Sequence, residues 1–167
     1  MRERQRQRRS GFTLLELLVV IAIIATLAAV VAPSVFRNVG DAKTASAKSQ
    51  IEIFGLALNQ YRIDNGVYPS TTQGLDALRT QPSTVGGDGE PPANWRGPYL
   101  SRIVPPDPWG RPYVYRAPGL VNTVSYDLYS LGRDGKPGGD GEDADITSWG
   151  GPVVDNATLS VNGSRMP

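Results

Sequence analysis

Cysteine and histidine are both missing from the 167 residues of this chain. Without thiols there are no disulfides and no thiolate metal sites, so an exported fold of this composition needs another staple. Without imidazole the usual general base and the commonest transition-metal ligand are gone, and only hard oxygen ligands remain. No nucleophile and base stand in a recognisable arrangement, which argues against an enzyme. A basic surface is missing too. Of 17 basic and 16 acidic residues, five arginines and one glutamate crowd into the first nine positions (Arg2, Glu3, Arg4, Arg6, Arg8, Arg9), leaving a body near −3. That body has no electrostatic footprint for nucleic acid.

What the chain does have is a long apolar run. From Phe12 to Ala32 only Glu16 is charged, and the stretch is about the length of a bilayer-spanning helix. The arginines before it hold the N-terminus in the cytoplasm and send the remainder outward. The run is longer than the apolar part of a cleaved secretory signal, roughly 7–15 residues. A plain single-pass anchor would gain nothing from Glu16, since a carboxylate deep in lipid costs roughly 2.5–3.5 kcal/mol. No cation lies within the run. Cleavage after Gly11 would create one, the α-amino group of Phe12, and that group on a neighbouring copy could neutralise Glu16.

Gly11-Phe12-Thr13-Leu14-Leu15-Glu16 resembles the leader junction of type IV pilins and pseudopilins. The resemblance implies a cut by a prepilin peptidase between Gly11 and Phe12, N-methylation of Phe12, and a role for Glu16 in assembly. Further along, Asn65-Gly66-Val67-Tyr68-Pro69, Thr72-Gln73-Gly74-Leu75, Trp95-Arg96-Gly97-Pro98-Tyr99-Leu100, Asp107-Pro108-Trp109-Gly110 and Tyr126 to Gly132 resemble the major pseudopilin of the type II secretion system. This likeness covers roughly residues 10 to 149. The arginine-rich leader and the tail from Gly150 to Pro167 depart from it.

The order of segments predicts an α+β fold: a long N-terminal helix, half transmembrane and half amphipathic, packed on a small antiparallel sheet. The expected divisions are a leader (1–11), a membrane and filament-core helix (12–32), a periplasmic domain (33–149) and an extension (150–167). Pro33 is expected to kink the helix or break one turn. Ala47, Ile51, Phe54, Leu58 and Tyr61 fall on one helical stripe and predict the core face. Lys43, Lys48, Gln50, Glu52, Asn59 and Arg62 mark the other face, with Gly40 and Gly55 as weak points. Asp64-Asn65-Gly66 ends the helix. A short helix is expected at Leu75–Leu78, a surface excursion over 81–98 closed by Trp95 and Tyr99 as packing anchors, and strands at Tyr113–Arg116 and Thr123–Leu131. The tail, including Val153 to Val161, is an edge strand or a surface segment. Its two sequons, at Asn156 and Asn162, carry little weight.

Asp134 to Asp145 holds five carboxylates and one lysine in twelve residues. Unpaired, these charges repel; a divalent cation would draw them together. Ca²⁺ suits such a loop because it mixes carboxylates with carbonyls at irregular geometry, and the spacing is not that of an EF-hand. A solvated acidic turn is the alternative. The resemblance implies a structural calcium here, held by the side chains of Asp134, Asp143 and Asp145 and by carbonyls near Leu131, Arg133 and Lys136, with Asp140, Glu142 and Ser148 as further candidates.

The resemblance further implies a subunit of a helical filament that drives export of folded proteins across the outer membrane. Its partners would be other copies of itself, minor pseudopilins, the inner-membrane assembly platform and the prepilin peptidase; nucleic acid would not be one. An adhesion or motility pilin is the alternative, although such pilins often carry a disulfide-bounded loop. A membrane-anchored calcium-dependent binding module is a third.

Overall fold

The computed structural model describes residues 11–83, 92 and 94–153. The arginine-rich leader, most of the 81–98 excursion and the tail with its sequons lie outside the described residues. The described chain belongs to two compact units that part between Val39 and Gly40.

Helix α1 runs from Leu14 to Asn65, 52 residues. It starts where it does because Thr13 caps it. The Thr13 hydroxyl accepts the backbone N–H of Glu16 at 3.2 Å, and the Thr13 carbonyl accepts that of Leu17 at 3.2 Å. Thr13 and Glu16 thus have capping-box spacing, and the carboxylate sits in the first turn, where the helix dipole favours it. The helix is continuous through Pro33. A proline removes one N–H from a helix and need not end a long one. At the other end Gly66 adopts φ 80° and donates its N–H to the Arg62 carbonyl at 2.7 Å. That is the expected left-handed stop.

In the first unit the apolar side chains from Phe12 to Val31 are exposed, Leu14 at 82% and Val30 at 79%. The segment is long and apolar enough to cross a membrane. Its one internal hydroxyl is satisfied locally, Thr26 bonding the carbonyls of Ala22 (3.1 Å) and Ile23 (2.8 Å). Lipid demands that kind of internal satisfaction.

In the second unit α1 supplies the core face. Ala47, Ile51, Phe54, Leu58 and Tyr61 are buried as expected, joined by Ala57. Against them pack Leu75, Ala77 and Leu78 of a 3-10 turn (Leu75–Leu78), followed by Leu100, Tyr113, Tyr115, Leu128 and Ile146. Phe54 meets Tyr113 edge to face at 5.3 Å, and Tyr61 meets Tyr99 at 5.6 Å. Trp95 donates its indole N–H to the Ala77 carbonyl at 3.0 Å and lies edge-on to Tyr99. The aromatic pair is therefore a packing anchor.

Three strands form one antiparallel sheet in the order β1 (Val114–Arg116), β2 (Asp127–Ser130), β3 (Ile146–Thr147). Tyr115 pairs with Leu128, both facing the core. The second strand is shorter than Thr123–Leu131 because its first residues belong to a turn, with Ser125 N–H on the Asn122 carbonyl at 2.9 Å and Gly119 N–H on the Ser125 carbonyl at 3.1 Å, and Asp127 holds that turn. Its carboxylate accepts N–H groups of Leu120 (2.6 Å), Val121 (2.9 Å) and Asn122 (3.0 Å) and the Asn122 amide (2.9 Å). Those donors are thereby lost to any ladder. The third strand arises after the acidic loop, so that loop is the connection from β2 to β3.

Gly40 and Gly55 are close-approach positions rather than weak points. A Cβ at Gly40 would run into the Glu142 side chain, and one at Gly55 would lie 3.1 Å from the Tyr126 hydroxyl.

Two core phenols give this unit a pH signature. Burial, with the Asp107 charge nearby, pushes Tyr113 up to about 12, and burial pushes Tyr115 higher still. Both hold their protons in the folded state while the unfolded chain releases them near the ordinary tyrosine value of about 10. The folded state then binds more protons, so stability must fall as pH rises. We expect urea midpoints unchanged from neutral pH to about 9 and declining above about 10. Absorbance titration should show Tyr113 and Tyr115 ionising only as the fold opens, with Tyr61 and Tyr126, which burial also raises, delayed as well.

Candidate cation loop and N-terminal junction

The loop from Leu131 to Ala144 folds back on itself around glycines. Gly132 has φ 61°, and a Cβ there would lie 2.7 Å from the Ala144 carbonyl oxygen and 2.8 Å from that of Glu142. Gly139, at φ 81°, approaches the Asp143 carbonyl just as closely. The Arg133 N–H donates to the Glu142 carbonyl at 2.8 Å, so the two limbs are in backbone contact.

A residue of the turn before β1 also holds the loop. The Arg111 guanidinium donates to the carbonyls of Gly132 (2.9 Å) and Arg133 (2.7 Å). Its backbone N–H is fixed by buried Asp107 at 2.8 Å, which also accepts Trp109 N–H (3.0 Å) and the Ser130 hydroxyl (2.6 Å). An Asp followed within five residues by Pro, Gly and Pro signals such a self-bonded turn. The reach of Arg111 to the loop has no sequence signal.

The predicted ligands are placed as follows. The Leu131 carbonyl accepts Gly135 N–H at 3.2 Å, and the Arg133 carbonyl accepts Arg111; each keeps a second lone pair. Asp134 accepts the Lys136 N–H at 3.0 Å. Asp145 accepts Gly138 N–H through Oδ2 at 2.8 Å, while its Oδ1 is buried without a hydrogen-bond partner among the described residues. Asp143 is bound elsewhere: Arg133 grips it with two bonds, Nε to Oδ1 at 2.8 Å and Nη2 to Oδ2 at 2.9 Å. This pairing holds the Asp143 carboxyl below its ordinary range and raises Arg133. Asp140 is exposed, and its carbonyl accepts Asp143 N–H. Glu142 lies against Gly40, with a carboxylate oxygen 3.9 Å from Arg133. The Ser148 N–H donates to the Leu128 carbonyl at the sheet end.

Among the described residues no three carboxylates converge as a ready ligand set. The fit to Ca²⁺ rests instead on the kind of oxygens one short loop offers: the orphaned Asp145 Oδ1, the Asp134 carboxylate and backbone carbonyls with a free lone pair. Calcium accepts that mixture, and a buried anionic oxygen without a donor is costly unless something positive meets it.

At the N-terminus Gly11, Phe12 and Thr13 precede α1 in non-helical backbone, with Phe12 82% exposed. Glu16 is exposed on the first turn. An apolar N-terminal helix running into a small α+β unit, with a glycine junction just ahead of its cap, is the architecture of a pilin-like, membrane-anchored subunit. The prokaryotic N-terminal methylation motif matches residues 6–32.

The type II secretion system protein G model matches residues 34–149. Similar proteins are the type II secretion system core protein G of Pseudomonas aeruginosa, 47% identical over 146 residues covering 87% of this chain and 98% of that protein, and that of Vibrio cholerae, 42% identical, covering 86% and 93%. The crystal structure of the major pseudopilin from the type 2 secretion system of enterohaemorrhagic Escherichia coli matches with TM-score 0.54 and 34% identity, covering 67% of this chain and 90% of that one. The chain belongs to the type II secretion system protein G family, the major pseudopilins. It is a structural subunit, not an enzyme.

Gly132 is the position on which the loop's closure turns. Gly132→Ala forces a side chain into left-handed backbone and against two carbonyls, and should cost about 2–4 kcal/mol in urea unfolding. Gly138→Ala, where a Cβ meets nothing within 4 Å, should lose only the backbone part, about 1–2 kcal/mol.

Proposed function

We propose that this chain is cut between Gly11 and Phe12 by a prepilin peptidase, methylated on Phe12 and assembled in the inner membrane into a helical pseudopilus. Growth of that filament moves folded proteins across the outer membrane. The single observation that carries the reading is the junction itself: a glycine, a free-standing Phe12 and a capped helix whose first turn bears the one charge of an apolar span. Copies of this chain, minor pseudopilins and the inner-membrane platform are its partners, and the globular unit is periplasmic. Glu16 registers an incoming subunit by meeting the Phe12 ammonium of a neighbour. The adhesion-pilin alternative has no observation in its favour.

Glu16→Gln tests this sharply, because the Thr13 cap uses the Glu16 backbone N–H and survives the change. We expect normal membrane insertion and cleavage but loss of filaments and of secretion, read by electron microscopy and by culture-supernatant activity. Intact filaments in that variant would remove the proposed role of the charge.

In the same reading the acidic loop holds a structural Ca²⁺ through Asp134, Asp145 and the carbonyls of Leu131, Arg133 and Lys136, with Asp143 joining them. The ion ties the two limbs together and orders the connection from β2 to β3. Saturating calcium should raise the melting temperature by roughly 5–10 °C over chelator, and magnesium much less. Superimposable melting curves would defeat the metal assignment.

A further inference from the structure

We propose that Arg133 is a built-in competitor for the cation loop, clamping Asp143 when no divalent ion is present and releasing it when one binds. The inference rests on the calcium reading above and adds to it a residue that sets how tightly the ion is held.

Three observations carry it. Asp143 and Arg133 meet in a two-bond fork at 2.8 and 2.9 Å, which occupies both oxygens of a carboxylate expected to face the ion. Asp145, two residues on, has one buried oxygen with no hydrogen-bond partner among the described residues, and the guanidinium does not bond to it. The Arg133 side chain is 57% exposed while its backbone is fixed on both sides, by Glu142 at the N–H and Arg111 at the carbonyl. The side chain can therefore swing into solvent without moving the loop. Ion pairs this open to water are weak, and a divalent ion with several oxygens displaces one readily. The cost of breaking the fork is subtracted from the metal's affinity, so the clamp lowers affinity and keeps the metal-free loop closed. Arginine suits this task better than lysine because only a guanidinium grips both carboxylate oxygens at once.

The test uses the full mature chain in detergent micelles, titrated with CaCl₂ by calorimetry and melted in chelator. Arg133→Gln should bind Ca²⁺ about two- to fivefold more tightly than wild type. It should also melt lower in chelator yet equally in saturating calcium. Arg133→Lys separates the clamp from mere repulsion: it keeps the charge but not the fork, and should also bind more tightly than wild type. Lys136→Gln removes a charge from the same loop without touching Asp143 and should shift affinity less than Arg133→Gln. In wild type the Arg133 Nε–H resonance should be protected without metal and lose that protection on calcium addition. Equal affinities for wild type, Arg133→Gln and Arg133→Lys would overturn the clamp and leave the calcium reading standing. An Arg133 signal unmoved by bound calcium would do the same. Calcium binding by none of the variants would overturn both.

Discussion

The second unit depends on one contact: the stripe of Ala47, Ile51, Phe54, Leu58 and Tyr61 on α1 against a thin layer of turns and short strands. The three strands hold three, four and two residues, too few to make a stable sheet by themselves. They persist because Tyr115, Leu128 and Ile146 lie on the helix. A small domain without disulfides has few ways to gather a core. Here a helix supplies a ready-made wall, and nearly everything after Asn65 serves to cover it.

Two buried carboxylates then do for the loops what disulfides do elsewhere. Asp127 collects the N–H groups of the 120–122 turn, and Asp107 collects those of the 109–111 turn together with Ser130. Each converts irregular backbone into a fixed shape by satisfying several donors with one acceptor group. Arg111 carries that rigidity onward into the acidic connection. The loop is thus held at its base by an arginine that Asp107 itself fixes.

Much of this was legible in the residues. The core face of α1, its left-handed stop at Gly66 and the anchoring by Trp95 follow from spacing and from turn chemistry, which are local. The junction at Gly11, with its single acid, is also a local pattern. What the sequence concealed is relational. Asp127 reads as an ordinary strand residue until its side chain is seen to hold the preceding turn. Thr13 reads as one more residue of an apolar run until its hydroxyl is placed on Glu16. The glycines of the helix read as defects, yet they give room to Glu142 and Tyr126. Pro33 reads as a kink or one broken turn, and the helix runs on through it. The Arg133–Asp143 pairing is equally invisible, since five acids within twelve residues do not say which one an arginine will choose.

The position of the Thr13 cap bears on the proposed maturation. Gly11, Phe12 and Thr13 lie ahead of the first helical turn in non-helical backbone, so a cut between Gly11 and Phe12 would unwind none of α1. The hydroxyl that begins the coil would stay in place after it. On that proposal trimming and folding at this end of the molecule would be independent events, and a subunit could be cut without being remade.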